Sequence, residues 1–358
     1  MTARSILIVA GGTGGHIYPA LAVAERLKNL NIGIYWLGSQ HGIEGRIVPQ
    51  HGFELSKIKV LALRGHGWRR WVVAPWTLAY ATIQAIATML RIRPGVVLGM
   101  GGFVSGPGGL AAWLCRVPLI IHEQNAVAGL TNRLIKHLAT RVLAGYPQSF
   151  RSGSSAVVTG NPVRDSIATL PPPTSRSRDM NCLNVLVIGG SLGARRLNEV
   201  LPAALRLMPN QPRIQVWHQT GDSDLVATRA AYSEYREARV DDYIEDIAAA
   251  YGWADVVVCR AGAITVAELA ASGVPSILIP FPHAVDDHQA ANAAFLVDRG
   301  AAVMIRESEL SAERLTRLLI ELNSDRTRLL QMACSARDCA LPNATNDVAA
   351  RCLELINA

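Results

Sequence analysis

Ile6-Leu7-Ile8-Val9-Ala10 runs straight into Gly11-Gly12-Thr13-Gly14-Gly15-His16, and about 180 residues later Val185-Leu186-Val187-Ile188 runs into Gly189-Gly190-Ser191-Leu192-Gly193-Ala194. Each is a short, fully apolar run that stops at glycines and passes into a helix-like stretch. A strand buried on both faces of a parallel sheet reads this way. The glycine turn then delivers the chain to a helix N-terminus, whose unpaired N–H groups suit an anion. Two copies predict an α/β protein of two nucleotide-type domains facing each other across a cleft. A pair of such domains holds two ligands and can pass a group between them.

Outward from these turns, apolar runs alternate with helix-like ones. In the first half, strands are predicted at 6–10, 34–37, 96–98, 119–122, 142–144 and 156–158, and helices at 19–30, 77–91 and 108–115. In the second half, strands are predicted at 185–188, 214–218, 240–243, 256–259, 276–279 and 302–305. Helices there are predicted at 195–208, 247–253, 264–271, 287–299 and 312–323, with a last one at 347–356. Such alternation implies a parallel sheet covered by helices on both faces in each half, with ligands beyond the C-terminal strand ends. The division falls near Gly160-Asn161-Pro162, giving domains at 1–163 and 164–342, and the polar, proline-rich 171–181 reads as a loop.

The chain of 358 residues is half apolar and 18% charged, which argues against disorder and for large cores. Six cysteines without a C-x-x-C pair or zinc-like spacing read as reduced thiols of a cytoplasmic protein. The apolar run after Arg4 is too short for a signal peptide. Segments 72–90 and 94–115 carry no charge, but polar residues and proline in the first and glycines in the second argue against membrane spans. Charge is one-sided: up to Pro162 there are 16 Lys/Arg against four acids, and afterwards 19 against 24. The basic half implies an anionic partner.

Other nucleotide classes fall away. The glycine spacing is not G-x-G-x-x-G, and the second strand ends in Gly38-Ser39-Gln40 with no acid for a ribose, which speaks against a dinucleotide. No G-x-x-x-x-G-K-[ST] is present. A second glycine cluster, Gly99-Met100-Gly101-Gly102-Phe103-Val104-Ser105-Gly106, adds N–H donors to the first turn and favours a bound pyrophosphate over mere tight packing. His122-Glu123-Gln124-Asn125 closes an apolar strand. His16, at a helix start, and Glu123 are both candidates for a general base, and the residues alone do not choose between them. In the second half, Cys259-Arg260-Ala261-Gly262-Ala263 again runs from strand through glycine to helix, with Glu268 placed to accept ribose hydroxyls. Gln289 and Asn292, three residues apart on one helix, suit sugar hydroxyls. Asp222-Ser223-Asp224 matches a metal-holding D-x-D but reads as a solvated loop. No metal cluster or cofactor motif is seen.

Taken in order, AGGTGGH, LGMGGFVSGPGG, HEQNAVAGLTN, GNPVR, GGSLGA, WADVVVCRAGAITVAE and DHQAANA resemble the MurG family, from residue 10 to about 293. The resemblance implies a GT-B glycosyltransferase fold of two Rossmann-like domains. The first would bind acceptor and associate with the membrane, with a C-terminal helix at about 343–358 packing back on it; the second would bind donor. It implies inverting, metal-independent transfer of N-acetylglucosamine from UDP-N-acetylglucosamine to O4 of the N-acetylmuramoyl group of lipid I, forming lipid II. Carried over position by position, Thr13, Gly14, Gly15, Asn125, Arg164, Ser191, Ile244, Ala263, Ile264, Thr265, Val266, Ala267, Glu268, Gln289 and Asn292 would contact donor. Gly14, Gly15, Gly101, Gly102, Ser105 and Gly106 would hold the acceptor pyrophosphate, with His16 or Glu123 as base. Phe103 stands where tyrosine is frequent, and His288-Gln289 where a Gln-Gln pair occurs.

Trp68, Arg69, Arg70, Trp71 and Trp76 form a basic, aromatic stretch suited to the headgroup boundary of an anionic membrane. It points to a peripheral protein on the cytoplasmic face of the plasma membrane, and no nucleic-acid motif accompanies it. Two other functions share the fold-level pattern: a UDP-N-acetylglucosamine 2-epimerase, and a non-catalytic nucleotide-sugar-binding protein.

Overall fold

The computed structural model describes residues 4–40, 42–60, 69–150, 155–190, 194–208 and 213–357, without the side chains of 69–74 and 285. It divides into two compact units. Unit 1 is Met1–Arg164 with Leu341–Ala358, and unit 2 is Asp165–Ala340.

Unit 1 runs β1 (Ser5–Ala10), α1 (Gly14–Lys28), β2 (Gly33–Ser39), α2 (Glu44–Gln50), β3 (Glu54–Ile58), α3 (Arg69–Ile92), β4 (Val96–Gly101), α4 (Ser105–Leu114), β5 (Leu119–Glu123), α5 (Leu130–Ile135), β6 (Arg141–Ala144) and β7 (Val157–Val158). Its seven strands lie in the order β3-β2-β1-β4-β5-β6-β7, all parallel. Alternate side chains of a strand leave opposite faces. Ile6, Ile8 and Ala10 accordingly pack with α1, while Leu7 and Val9 pack with α3 and α4. Both faces are covered, so β1 reads as an unbroken apolar run.

Unit 2 runs α6 (Asp165–Ala168), β8 (Cys182–Ile188), α7 (Arg195–Arg206), β9 (Arg213–Gln219), α8 (Leu225–Ala231), β10 (Ala238–Asp241), α9 (Ile247–Trp253), β11 (Val256–Cys259), α10 (Ala263–Ser272), β12 (Ser276–Leu278), α11 (His288–Val297), β13 (Ala302–Met304), α12 (Ala312–Ser324) and α13 (Arg326–Asp338). Its six strands are parallel in the order β10-β9-β8-β11-β12-β13. The last helix, α14 (Ala344–Ile356), belongs to unit 1, where Val348, Ala349 and Cys352 join the cluster of Ile6 and Ile8.

In each sheet the order reverses beside the first strand, between β1 and β4 and between β8 and β11. That switch point is where open α/β sheets bind ligands. The glycine turns Gly11–Gly12 and Gly189–Gly190 follow β1 and β8, the two strands at which the order reverses.

Two departures from the predicted elements have clear physical reasons. Helix α1 starts at Gly14 and not at Pro19, which lies buried inside it. A proline there forfeits one backbone hydrogen bond. Strand β3 was not expected, because as the edge strand it buries only Ile58 and so carries no apolar run.

Candidate active site

At the switch point of unit 1 the two glycine loops touch. Gly102 has φ +85°, and a Cβ on it would stand 2.1 Å from the Gly11 carbonyl oxygen. Gly101 has φ +101°, and a Cβ on it would stand 2.5 Å from His16 Nδ1. Only glycine serves at either position. Beneath the first loop lies Glu44, fully buried at the start of α2. Its Oε2 accepts the Gly12 N–H at 3.0 Å, and its Oε1 accepts Ser39 N–H at 2.7 Å and Ser39 Oγ–H at 2.6 Å. One carboxylate thus ties the ends of β1 and β2 together. In the sequence Glu44 shows only as an acid in a basic half, near Gly42 and Gly45.

His16 is half-buried in the first turn of α1, after the exposed Thr13. Its Nδ1 lies 3.2 Å from Gln124 Oε1. The Gln124 amide is oriented by Nε2 donating to Met100 O at 2.9 Å. Oε1 is therefore the acceptor, His16 carries its proton on Nδ1, and the lone pair sits on Nε2. Gln124 Nε2 also faces His122 Nδ1 at 3.3 Å, and His122 Nε2 donates to Gly160 O at 2.9 Å. Burial pushes His122 down to about 4, keeping it neutral. A line of fixed polarity thus runs from Gly160 to the lone pair of His16.

Glu123 is differently placed. Only 2% exposed, it accepts four hydrogen bonds. Oε1 takes Asn125 N–H at 2.9 Å and Asn125 Nδ2 at 3.1 Å, and Oε2 takes Gly129 N–H at 3.0 Å and Asn132 Nδ2 at 2.9 Å. Its acceptor capacity goes into shaping the 125–132 loop. Ser105 is likewise structural: its buried hydroxyl accepts from Gly101 N–H at 3.0 Å. Arg164 stacks 5.0 Å from the Tyr18 ring centroid.

In unit 2, Gly190 has φ +86° at the end of β8, and Ser191 lies outside the described residues. Gln219, which closes β9, donates to Gly190 O at 3.2 Å and accepts the Ile244 N–H at 3.2 Å. The Ile244 amide is therefore already used, a point the sequence did not reveal. Helix α10 opens after Gly262, bringing Ala263, Ile264, Thr265, Val266 and Ala267 through its first turn. Tyr251 OH donates to Glu268 Oε2 at 3.1 Å and fixes that carboxylate. Arg260 pairs with Glu307 and caps the ends of β12 through Ile279 O at 3.3 Å. Gln289 Oε1 accepts Phe281 N–H at 2.9 Å. Asn292 is fully buried and donates to Ala261 O at 3.1 Å, so it braces the turn from beneath. Asp224 of the D-x-D stretch accepts from Asn198 Nδ2 at 3.0 Å. Asn198 Oδ1 and Tyr232 OH hold His218, which burial drives to about 3. Among the described residues no group of His, Cys, Asp and Glu is arranged to hold a metal ion.

Unit 1 also exposes large apolar side chains on three of its helices. Trp76 and Ile83 of α3, Trp113 of α4 and Leu134 of α5 are exposed, Trp76 by 75%. Trp68 and the side chains of Arg69, Arg70 and Trp71 lie outside the described residues. Among the described residues no helix is long and apolar enough to cross a membrane.

Two parallel-sheet units, each with a glycine turn at its switch point, have the architecture of the GT-B class. Residues 6–144 match the glycosyltransferase family 28 N-terminal domain, and 184–348 match the family 28 C-terminal domain. Two bacterial relatives bear the name UDP-N-acetylglucosamine–N-acetylmuramyl-(pentapeptide) pyrophosphoryl-undecaprenol N-acetylglucosamine transferase. One, from Nitrosococcus oceani, is 50% identical over 98% of each chain; the other, from Alkalilimnicola ehrlichii, is 52% identical over 98% of each. The crystal structure of Acinetobacter baumannii MurG superposes with a TM-score of 0.84 at 38% identity, covering 98% of this chain and 99% of that one. The chain belongs to glycosyltransferase family 28, within its MurG family.

Proposed function

We infer that this chain is a hexosyltransferase of peptidoglycan synthesis. It moves N-acetylglucosamine from UDP-N-acetylglucosamine to O4 of the N-acetylmuramoyl group of lipid I, yielding lipid II and UDP. The observation that carries this is the near-full-length identity of about half to relatives that bear that name.

The reaction is a single displacement with inversion. O4 attacks C1 of N-acetylglucosamine, the bond from C1 to the diphosphate oxygen breaks, and the O4 proton must leave. His16 takes that proton, because Gln124 holds its other nitrogen protonated and leaves the Nε2 lone pair as acceptor. Glu123 is not the base, since four donors already occupy it. The departing diphosphate rests at the start of α10, where N–H groups and the helix dipole offset its charge without a metal. Glu268, oriented by Tyr251, accepts the ribose hydroxyls. Ser191 with the Gly189–Gly190 turn meets the phosphates, and Gln289 meets the sugar. The glycine loops at Thr13–Gly15 and Gly101–Gly106 receive the acceptor pyrophosphate.

The chain works as a peripheral protein on the cytoplasmic face of the membrane, docking through the exposed apolar side chains of α3, α4 and α5. This reading rests on the exposure of Trp76, Ile83 and Trp113 and on the basic excess of the first half. The test of function is acceptor-dependent transfer of labelled N-acetylglucosamine to a lipid I analogue, run with and without EDTA. Conversion of donor without acceptor would indicate the epimerase instead.

A further inference from the structure

Unit 2 has a recess at the N-terminal ends of its strands, opposite the glycine turn. A cavity of about 430 Å³ opens beside Met180, Asp255 and Pro275, which precede β8, β11 and β12. The glycine turn and the start of α10 follow the opposite, C-terminal ends of β8 and β11. Arg176, Arg178 and Arg326 line the cavity, and apolar side chains of Met180, Pro275 and Leu330 complete it.

The charge there is unbalanced. Backbone carbonyls accept from each of these guanidinium groups, and a single carboxylate serves two of them. Arg176 donates to Pro171 O at 2.8 Å and to Ser272 O, and Arg178 to Trp253 O at 2.9 Å. Arg326 donates to Cys182 O at 2.6 Å. Arg337, close behind Arg176, donates to Leu170 O at 3.1 Å and to Ala271 O. The one carboxylate lining the cavity is Asp255, which meets Arg178 at 3.2 Å and Arg326 at 3.7 Å while also accepting Asn184 N–H at 2.9 Å. Asp179 and Asp325 stay outside the lining, bonded to Asn181 N–H and Arg328 N–H. Arg176 Nη1 and Arg326 Nε are buried without a hydrogen-bond partner. Burial, and after it the neighbouring Arg178 and Arg337, push Arg176 down to about 10.

Carbonyls orient a guanidinium but do not neutralise it. Rigidly held arginine forks suit the oxygens of a phosphate. The volume falls within the range of small-molecule sites, and the apolar wall suits a ligand with a non-polar body. We propose that this cavity is a second anion site, taking an organic phosphate with an apolar body, separate from the strand ends that receive the nucleotide sugar. The phosphate can belong to a free metabolite or to a lipid headgroup.

The test titrates the full chain, with the donor site saturated by UDP, with phenyl phosphate in a calorimeter. A parallel arm measures sedimentation with phosphatidylglycerol vesicles in a Trp76→Ser/Ile83→Ser background, which removes the contribution of the unit 1 face so that the sedimentation that remains reports the cavity. Arg176→Gln removes a fork. Leu330→Glu places an acid on the exposed wall of the cavity and leaves the core untouched. Saturable binding of phenyl phosphate that weakens tenfold or more in both variants, with UDP affinity unchanged, supports a free phosphate. Loss of vesicle sedimentation in both variants, without binding of phenyl phosphate, supports a headgroup. No saturable binding in either arm, or binding that Leu330→Glu leaves at the wild-type level, overturns the proposal.

Discussion

The contrast between His16 and Glu123 yields the sharpest prediction. Glu123→Gln swaps one carboxylate oxygen for an NH2 group. Whichever way the amide turns, two N–H groups that were accepted now face a donor: Asn125 N–H and Nδ2, or Gly129 N–H and Asn132 Nδ2. An unpaired buried polar group costs about 1–3 kcal/mol, so the pair costs roughly 2–6 kcal/mol. With about 2–4 °C per kcal/mol for units of this size, Tm falls by roughly 4–24 °C. His16→Ala does the reverse. It removes a half-buried ring without stranding Met100 O, because Gln124 Nε2 still bonds it. Loss of a general base costs about 10²–10⁴ in kcat, or roughly 3–5 kcal/mol of barrier, while Tm and the donor KM hold. Initial rates with a lipid I analogue and thermal unfolding, measured on both variants, separate the two. A Glu123→Gln protein of normal Tm and lost kcat, beside an active His16→Ala protein, would refute this assignment.

Other outcomes follow from the same geometry. Gly102→Ala forces a methyl group to within 2.1 Å of Gly11 O at φ +85°, so the loops must part. Transfer should drop at least a hundredfold while unit 2 still binds UDP, as calorimetry would read. Glu44→Gln puts an NH2 group against Gly12 N–H or Ser39 N–H; Tm should fall by several degrees, and a Tm equal to wild type would show that the loop does not rest on that carboxylate. His122 and His218 sit at about 4 and about 3 instead of 6.5 because burial disfavours the charged ring. The unfolded chain then binds more protons below pH 6.5, so their contribution is full above that pH and is lost as pH falls toward 4 and 3. Each adds a slope of about 1.4 kcal/mol per pH unit in that window. His218→Gln should therefore flatten the fall of stability between pH 6 and pH 4.5 in denaturant titrations; an unchanged slope contradicts a buried neutral ring. Trp76→Ser with Ile83→Ser should reduce sedimentation with anionic vesicles at least fivefold without loss of Tm, and equal sedimentation would remove α3 from the docking face.

The sheets were legible because strands buried on both faces announce themselves. The runs ending at Ala10, Ile188 and Cys259 need no tertiary information, and the glycines after the first two mark the switch points. What the sequence hid was the underside of the site. Glu44, Gln124 and Gln219 act by bridging segments 5 to 108 residues apart, and nothing local distinguishes such a residue from an exposed polar one. The converse also holds. Asn292 fits the pattern of a sugar-binding helix face, yet it points inward to Ala261, and Glu123 looks like a free acid at a strand end yet is saturated. Strand β3 and helix α13 carry little local signal, because the first is an edge strand and the second is rich in arginine.

The most direct test of the account is transfer of radiolabelled N-acetylglucosamine from UDP-N-acetylglucosamine to a lipid I analogue by the purified chain, with EDTA present and a control lacking acceptor. The account predicts a disaccharide lipid product that requires acceptor, persists in EDTA and falls by at least a hundredfold in His16→Ala. Donor turnover without acceptor, or bound UDP-N-acetylglucosamine with no transfer, would contradict it.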